Sequence, residues 1–210
     1  MNKQKILVLA PHTDDGELGC GGTVAKLIED GYEVFYAVFS TCEESVPAGF
    51  PKDTLKKELN EALQVLGISE DHLTVFHYPV RRFHDYRQDI LDDMIVLRNT
   101  LHPDLIFMPG SGDIHQDHQV IFSEGLRAFK YSSILCYEFA WNNLTVHSSA
   151  FVRLEKRHLR KKTAALSKYY SQHGLRNYVE SSYIEGLAIV NGVQINTEYA
   201  EAFNVLRCVL

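Results

Sequence analysis

Apolar positions along this chain fall into two alternating spacings. Residues 6–9, Ile-Leu-Val-Leu, form an uninterrupted apolar run between polar flanks, the pattern of a strand buried on both faces of a parallel sheet. Residues 34–39, 73–78, 105–108 and 134–139 repeat it. Between these runs the spacing changes to that of helices. Leu55, Leu59, Ala62, Leu63 and Leu66 share one helical face that stops at Gly67, and Ile90, Leu91, Met94, Ile95 and Leu97 share another that stops near His102-Pro103. A crossover helix over 23–30, closed by Gly31, and a further helix over 120–129 complete the alternation. Strand–helix alternation of this kind predicts an α/β fold: a doubly wound, mostly parallel sheet with helices on both faces and right-handed crossovers. Residues 151–172 read as one strongly basic helix, with Lys156, Arg157, Arg160, Lys161 and Lys162 on a solvent face, and 183–210 mix β-branched and turn residues without a clear period.

Composition narrows the class without changing the picture. The 210 residues, 45% hydrophobic and 23% charged, fit one domain spanning 1–210, and no repeat, low-complexity tract or linker interrupts them. A formal net charge of −6 leaves no electrostatic footprint for nucleic acid or an anionic membrane, and no stretch approaches a membrane span. The short apolar run near the amino end stops at Pro11 and charged residues, so it reads as a first strand and not as a secretion signal. Four scattered cysteines without a CxxC pair suit buried thiols in a reducing, cytoplasmic setting. Nothing in the pattern sets the number of subunits, and a homo-oligomer is as admissible as a monomer.

Chemistry concentrates where two of the apolar runs end. The first is followed by Pro11-His12-Thr13-Asp14-Asp15-Gly16-Glu17, and the fourth leads through Asp113 to His115-Gln116-Asp117-His118. In open α/β sheets, ligands bind at the carboxyl ends of the strands, so both clusters belong at one site. A catalytic zinc takes three nitrogen or oxygen ligands from the protein and keeps one position for water. His12 and Asp15, three apart on a turn, can face one point, and His118 can supply the third ligand. Asp14 is the candidate general base for that water, and His115 is placed to stabilise an oxyanion and protonate a leaving amine. Asp117 would hold an imidazole in the required tautomer, as could Asp113, which is also a candidate substrate contact. Arg81 and Arg82, beyond the third strand, could receive a phosphate or carboxylate of the substrate. Two plainer readings compete. Acids at a strand end can merely cap the next helix. The glycines at 19–22 invite a dinucleotide reading, but a GxGxxG pattern would place its last glycine at Val24, and no acid ends the second strand.

Pro-His-x-Asp-Asp with a Gly-Gly turn, followed about a hundred residues later by His-x-Asp-His, resembles the PIG-L/LmbE-like family of zinc-dependent N-deacetylases. Glu58-Leu59-Asn60-Glu61-Ala62 with Leu66-Gly67, Tyr170-Ser171-Gln172 and Ala200-Glu201-Ala202-Phe203 are similar to further family segments. The resemblance implies a Rossmann-like fold, Zn2+ as cofactor and removal of acetyl groups from N-acetylglucosamine-type substrates. It also implies His12, Asp15 and His118 as ligands, Asp14 as base and His115 as the residue that assists the tetrahedral intermediate. Thr13 stands where the family commonly has proline, and Gly16 displaces to Glu17 the acid that often follows the aspartate pair. Two other classes remain in view: a two-metal phosphoesterase built on Asp14, Asp15, Asp113 and Asp117, and a sugar-binding protein without turnover.

Overall fold

The first apolar run becomes strand β1 (Lys5–Ala10), and its side chains alternate between two cores. Ile6, Val8 and Ala10 enter one core and Leu7 and Leu9 the other, all at most 2% exposed, so the strand is buried on both faces as its sequence predicts. The computed structural model describes residues 4–209. The other strands are β2 (Glu33–Val38), β3 (Leu73–Val75), β4 (Leu105–Pro109), β5 (Ser133–Tyr137), β6 (Ala150–Leu154) and β7 (Tyr199–Arg207). They join β1 in one seven-stranded sheet of order β3-β2-β1-β4-β5-β7-β6. The first five run parallel, whereas β7 pairs antiparallel with both β5 and β6.

The helices are α1 (Asp15–Glu29), α2 (Thr54–Leu66), α3 (Arg87–Leu101), α4 (Gln116–Ala128), α5 (Lys156–Leu166) and α6 (Ser181–Gln194). Leu18 of α1, Leu59 of α2, Leu159 of α5 and Ile184 of α6 share the core of Val8, while Met94 of α3 and Ile121 of α4 pack with Leu9 on the opposite face. The sheet is therefore mostly parallel and doubly wound, with helices on both faces. The chain winds outward from β1 to β3, then returns to place β4 on the other flank of β1. The carboxyl ends of β1 and β4 lie side by side at this reversal, which is where an open α/β sheet leaves a crevice. None of the helices is long and apolar enough to cross a membrane, among the described residues.

Three expectations change. The first helix starts at Asp15, eight residues earlier than its glycines suggest, because packing overrides propensity there. A Cβ at Gly16 would overlap Tyr36, one at Gly19 the Tyr137 ring, and one at Gly22 would lie 2.6 Å from Leu154 Cδ1. These glycines let the helix lie against the sheet, with non-helical torsions at Cys20 (φ −143°, ψ 18°) where two helical pieces meet. The basic helix expected over 151–172 splits into β6 and α5, because residues 150–154 find a ladder on β7 that lies far along the sequence. The tail resolves into α6 and β7.

The basic run is not wholly solvent-facing either. Lys162 is 4% exposed, and its Nζ donates to Glu201 Oε1 at 2.6 Å and to the Leu18 carbonyl at 2.7 Å. Glu201 in turn accepts the Gly22 and Thr23 amides at 2.9 and 2.6 Å, in the segment just after the Cys20 break. Removing one member of a buried ion pair leaves an uncompensated charge. Lys162→Met is expected to cost about 3–5 kcal/mol of stability, read as a lowered urea midpoint at unchanged slope. An unchanged midpoint would mean that the pair does not hold α1 to the sheet.

Candidate active site and metal centre

At the crevice, the backbone turns from β1 into α1 through Pro11-His12-Thr13-Asp14, and β4 leads through an irregular segment into α4. The Asp15 carboxylate reaches back to accept the His12 amide at 2.8 Å, which closes the turn and brings both side chains to one side. His118 arrives from the first turn of α4. His12 Nδ1 and Asp15 Oδ2 are 3.1 Å apart, His118 Nε2 and Asp15 Oδ2 3.2 Å, and His118 Nε2 and His12 Nδ1 3.2 Å. These three atoms form a nearly equilateral triangle. Ligands of a tetrahedral zinc at ordinary bond lengths are about 3.3 Å apart, so the residues present fit such an ion.

Each histidine is oriented from behind. His12 Nε2 lies 3.0 Å from Asp117 Oδ2, and His118 Nδ1 lies 2.7 Å from Asp113 Oδ2. A carboxylate on one ring nitrogen fixes the proton there and turns the other nitrogen into a ligand lone pair. Burial alone would lower the pKa of both imidazoles. Asp15 with Asp117 raises that of His12, and Asp15 with Asp113 raises that of His118 to about 10. The site thus attracts positive charge at the point where the three ligand atoms converge, and a metal ion competes with protons for it.

Asp14 and His115 flank this triangle. The Asp14 side chain makes no capping bond to α1, so the structure does not use it as a helix cap. Burial, then repulsion from Asp15, raises its carboxyl to about 6, near the range in which a base works at neutral pH. His115 caps α4 through Nδ1, which accepts the Asp117 amide at 3.2 Å. Burial, then repulsion from His12 and His118, lowers His115 to about 4, so the ring is neutral. With Nδ1 accepting, the proton sits on Nε2. One ligand atom each from His12, His115 and His118 lies within 4.8 Å of the others, a group able to hold a metal ion.

His12, Asp14, Asp15, His115 and His118 all line a cavity of about 300 Å³, as does Arg81. The remaining sequence-predicted residues take other positions. Arg82 turns away, its guanidinium bound to Asp85 at 2.8 Å in solvent. Asp113, expected either to hold an imidazole or to contact substrate, has a side chain only 1% exposed and lies against His118 Nδ1. Asp117 is wholly buried; besides His12 it accepts the Arg81 amide at 2.5 Å and the Phe83 amide at 3.2 Å. Asp113 and Asp117, the second carboxylate pair of the two-metal reading, each lie against an imidazole.

Sequence reasoning missed residues behind and opposite the site. Glu17, fully buried, is hydrogen-bonded to the hydroxyls of Tyr36 at 2.5 Å and Tyr169 at 2.6 Å. Tyr169 also donates to the Thr13 carbonyl, which ties the ligand loop to the segment after α5. Burial pushes the Glu17 carboxyl up to about 8, so it keeps its proton at neutral pH and can itself donate one of these bonds. Arg176 and Tyr178 line the cavity from the irregular segment before α6, where no period marks them, and Gln172 joins them from the end of the stretch read as a basic helix.

Fold and site together define a Rossmann-like α/β protein with a histidine and carboxylate cluster able to hold a metal ion at the switch point of its sheet. Residues 7–129 match the family described as PIG-L: GlcNAc-PI de-N-acetylase. The chain belongs to the PIG-L family. It is 29% identical over 182 residues to the uncharacterized deacetylase YaiS of Escherichia coli K12, covering 81% of this chain and 93% of the relative. It is 28% identical over 136 residues to a probable N-acetyl-alpha-D-glucosaminyl L-malate deacetylase 2 of Bacillus cereus, covering 60% of this chain and 61% of that one. The N,N'-diacetylchitobiose deacetylase of Pyrococcus horikoshii superposes with a TM-score of 0.81 at 20% identity, covering 98% of this chain and 84% of that chain.

Proposed function

We propose that the protein is a cytoplasmic zinc-dependent hydrolase that removes the acetyl group from an N-acetylated amino sugar of the N-acetylglucosamine type, free or carried on a nucleotide, glycan or other aglycone. One observation carries the reading: His12 Nδ1, Asp15 Oδ2 and His118 Nε2 converge in a triangle of 3.1–3.2 Å edges on a cavity that the Asp14 carboxyl also lines. His12, Asp15 and His118 would hold the zinc, which when bound polarises an amide carbonyl and makes water more acidic. Asp113 and Asp117 keep the two imidazoles in ligand geometry. Asp14 takes the proton of the attacking water and returns it to the departing amine. His115, neutral with its proton on Nε2, donates a hydrogen bond to the carbonyl oxygen as negative charge builds there. In this reading Asp14 carries the amine proton, a step the sequence analysis gave to His115. Water and the amide yield acetate and the free amino sugar.

The test is acetate release over a panel of N-acetyl amino sugars and their conjugates, with metal analysis of the same samples. The expected result is one zinc per chain, with turnover that a chelator abolishes and added zinc restores. Two ions per chain would point to the phosphoesterase class, and affinity without acetate to a binding protein; either outcome overturns the proposal.

A further inference from the structure

Among the described residues, most arginines have partners. Arg82 is bound by Asp85, Arg87 and Arg127 by Glu124, and Arg157 by Glu29. Arg98 and Arg207 donate to the carbonyls of Ala128 and Phe129. Arg81 and Arg176 have neither a carboxylate within salt-bridge distance nor a side-chain hydrogen bond, and both line the cavity above the ligand triangle. Arg153 and Arg160 are also unpaired, but they lie on β6 and α5 and are not among the residues lining this cavity. Arg81 and Arg176 are exposed and line the same cavity, in a chain of formal net charge −6.

The placement of Arg81 is also built. Its φ is +68°, in the left-handed region that a residue with a long side chain enters only when its surroundings hold it there. The restraint is Asp117, whose carboxylate accepts the Arg81 amide at 2.5 Å while it holds His12 Nε2. One buried carboxylate therefore fixes a metal ligand and the backbone of the arginine together. Arg176 enters from the segment before α6 and is separated from Tyr178, another lining residue, by one position. The two guanidinium groups thus come from different parts of the fold, one after β3 and one before α6.

Resting on the deacetylase reading, we infer that the amino sugar reaches this site as an anionic conjugate whose carboxylate or phosphate is bound by Arg81 and Arg176. A guanidinium matches either group with two parallel N–H donors, and a free one in a cavity carries no partner that the substrate must displace. Against the overall negative charge, the two cations also give the cavity a local field that concentrates anionic substrate. A neutral disaccharide would leave both groups without partners.

The experiment compares kcat/KM of the zinc-loaded protein for four probes. N-acetylglucosamine 1-phosphate and a carboxymethyl N-acetylglucosaminide carry the phosphate and the carboxylate; methyl N-acetylglucosaminide and N,N'-diacetylchitobiose are neutral. The expected result is a preference for at least one anionic probe of about 10-fold or more, carried by KM and shrinking as salt rises. Arg81→Gln and Arg176→Gln should each lower the anionic-to-neutral ratio by about 10-fold, with Arg81→Lys restoring part of it. A merely structural role would lower all four probes alike and leave the ratio unmoved. Because Arg176 sits outside the strained turn, its variant keeps the test valid if Arg81→Gln folds poorly. Cleavage of neutral probes as well as anionic ones, or an unmoved ratio in both variants, overturns the anionic class and leaves the deacetylase standing. No acetate from any probe removes both.

Discussion

Asp14→Asn lowers kcat for acetate release by about 10²–10⁴-fold and leaves zinc at one ion per chain; that is the expected result if Asp14 moves the proton. Asparagine keeps the size of the side chain and removes only its ability to take a proton. The ligand triangle is complete without Asp14, and its side chain caps no helix, so neither metal content nor folding has reason to change. Burial and the neighbouring Asp15 have already raised the carboxyl to about 6, so the wild-type group takes and returns a proton near neutral pH. The check is acetate release and metal analysis on one preparation. Turnover at the parent rate would remove Asp14 from the mechanism, and a matching loss of zinc would make it a ligand.

His118→Ala is expected to lose metal and activity together. It removes one corner of the triangle and leaves two protein ligands, which is fewer than a catalytic zinc takes. It also takes from the Asp113 carboxylate, 1% exposed in its side chain, the imidazole that it holds at 2.7 Å. Bound zinc after dialysis should fall to near zero, and added zinc should not restore turnover. Asp113→Ala is the milder companion, expected to weaken zinc binding by about 10–100-fold while activity returns at high zinc. A His118→Ala protein that kept its full zinc would require a different ligand set, with His115 the first replacement to consider. These two outcomes separate the ligand role from the orienting role, which the proposal gives to different residues.

The extent to which the site could be read from the chain follows from where its residues stand. His12, Asp14, Asp15, His115 and His118 interrupt apolar runs at the ends of β1 and β4, and polar side chains at strand ends of an open α/β sheet stand out against their neighbours. The fold class followed from the same contrast, since runs buried on both faces alternate with amphipathic segments in the order a doubly wound sheet requires. Boundaries were less legible. Glycine-rich 16–22 reads as a turn because glycine is a poor helix former, yet the helix forms there because only glycine admits the rings of Tyr36 and Tyr137.

What the chain determined by itself was the sheet's parallel half, the two clusters of chemistry and their fitness to hold a metal ion, because each rests on local pattern and on the intrinsic chemistry of imidazole and carboxylate. The tertiary structure alone decided the rest. β6 exists through its ladder with β7, and Lys162 is buried because Glu201, thirty-nine residues away, neutralises it. Which histidine each carboxylate meets, His12 for Asp117 and His118 for Asp113, was settled by the fold. Arg176 joined Arg81 in one cavity from an irregular segment with no periodicity to announce it. Each of these depends on partners distant in sequence, and the spacing of residues along a chain carries no record of which distant side chains will meet.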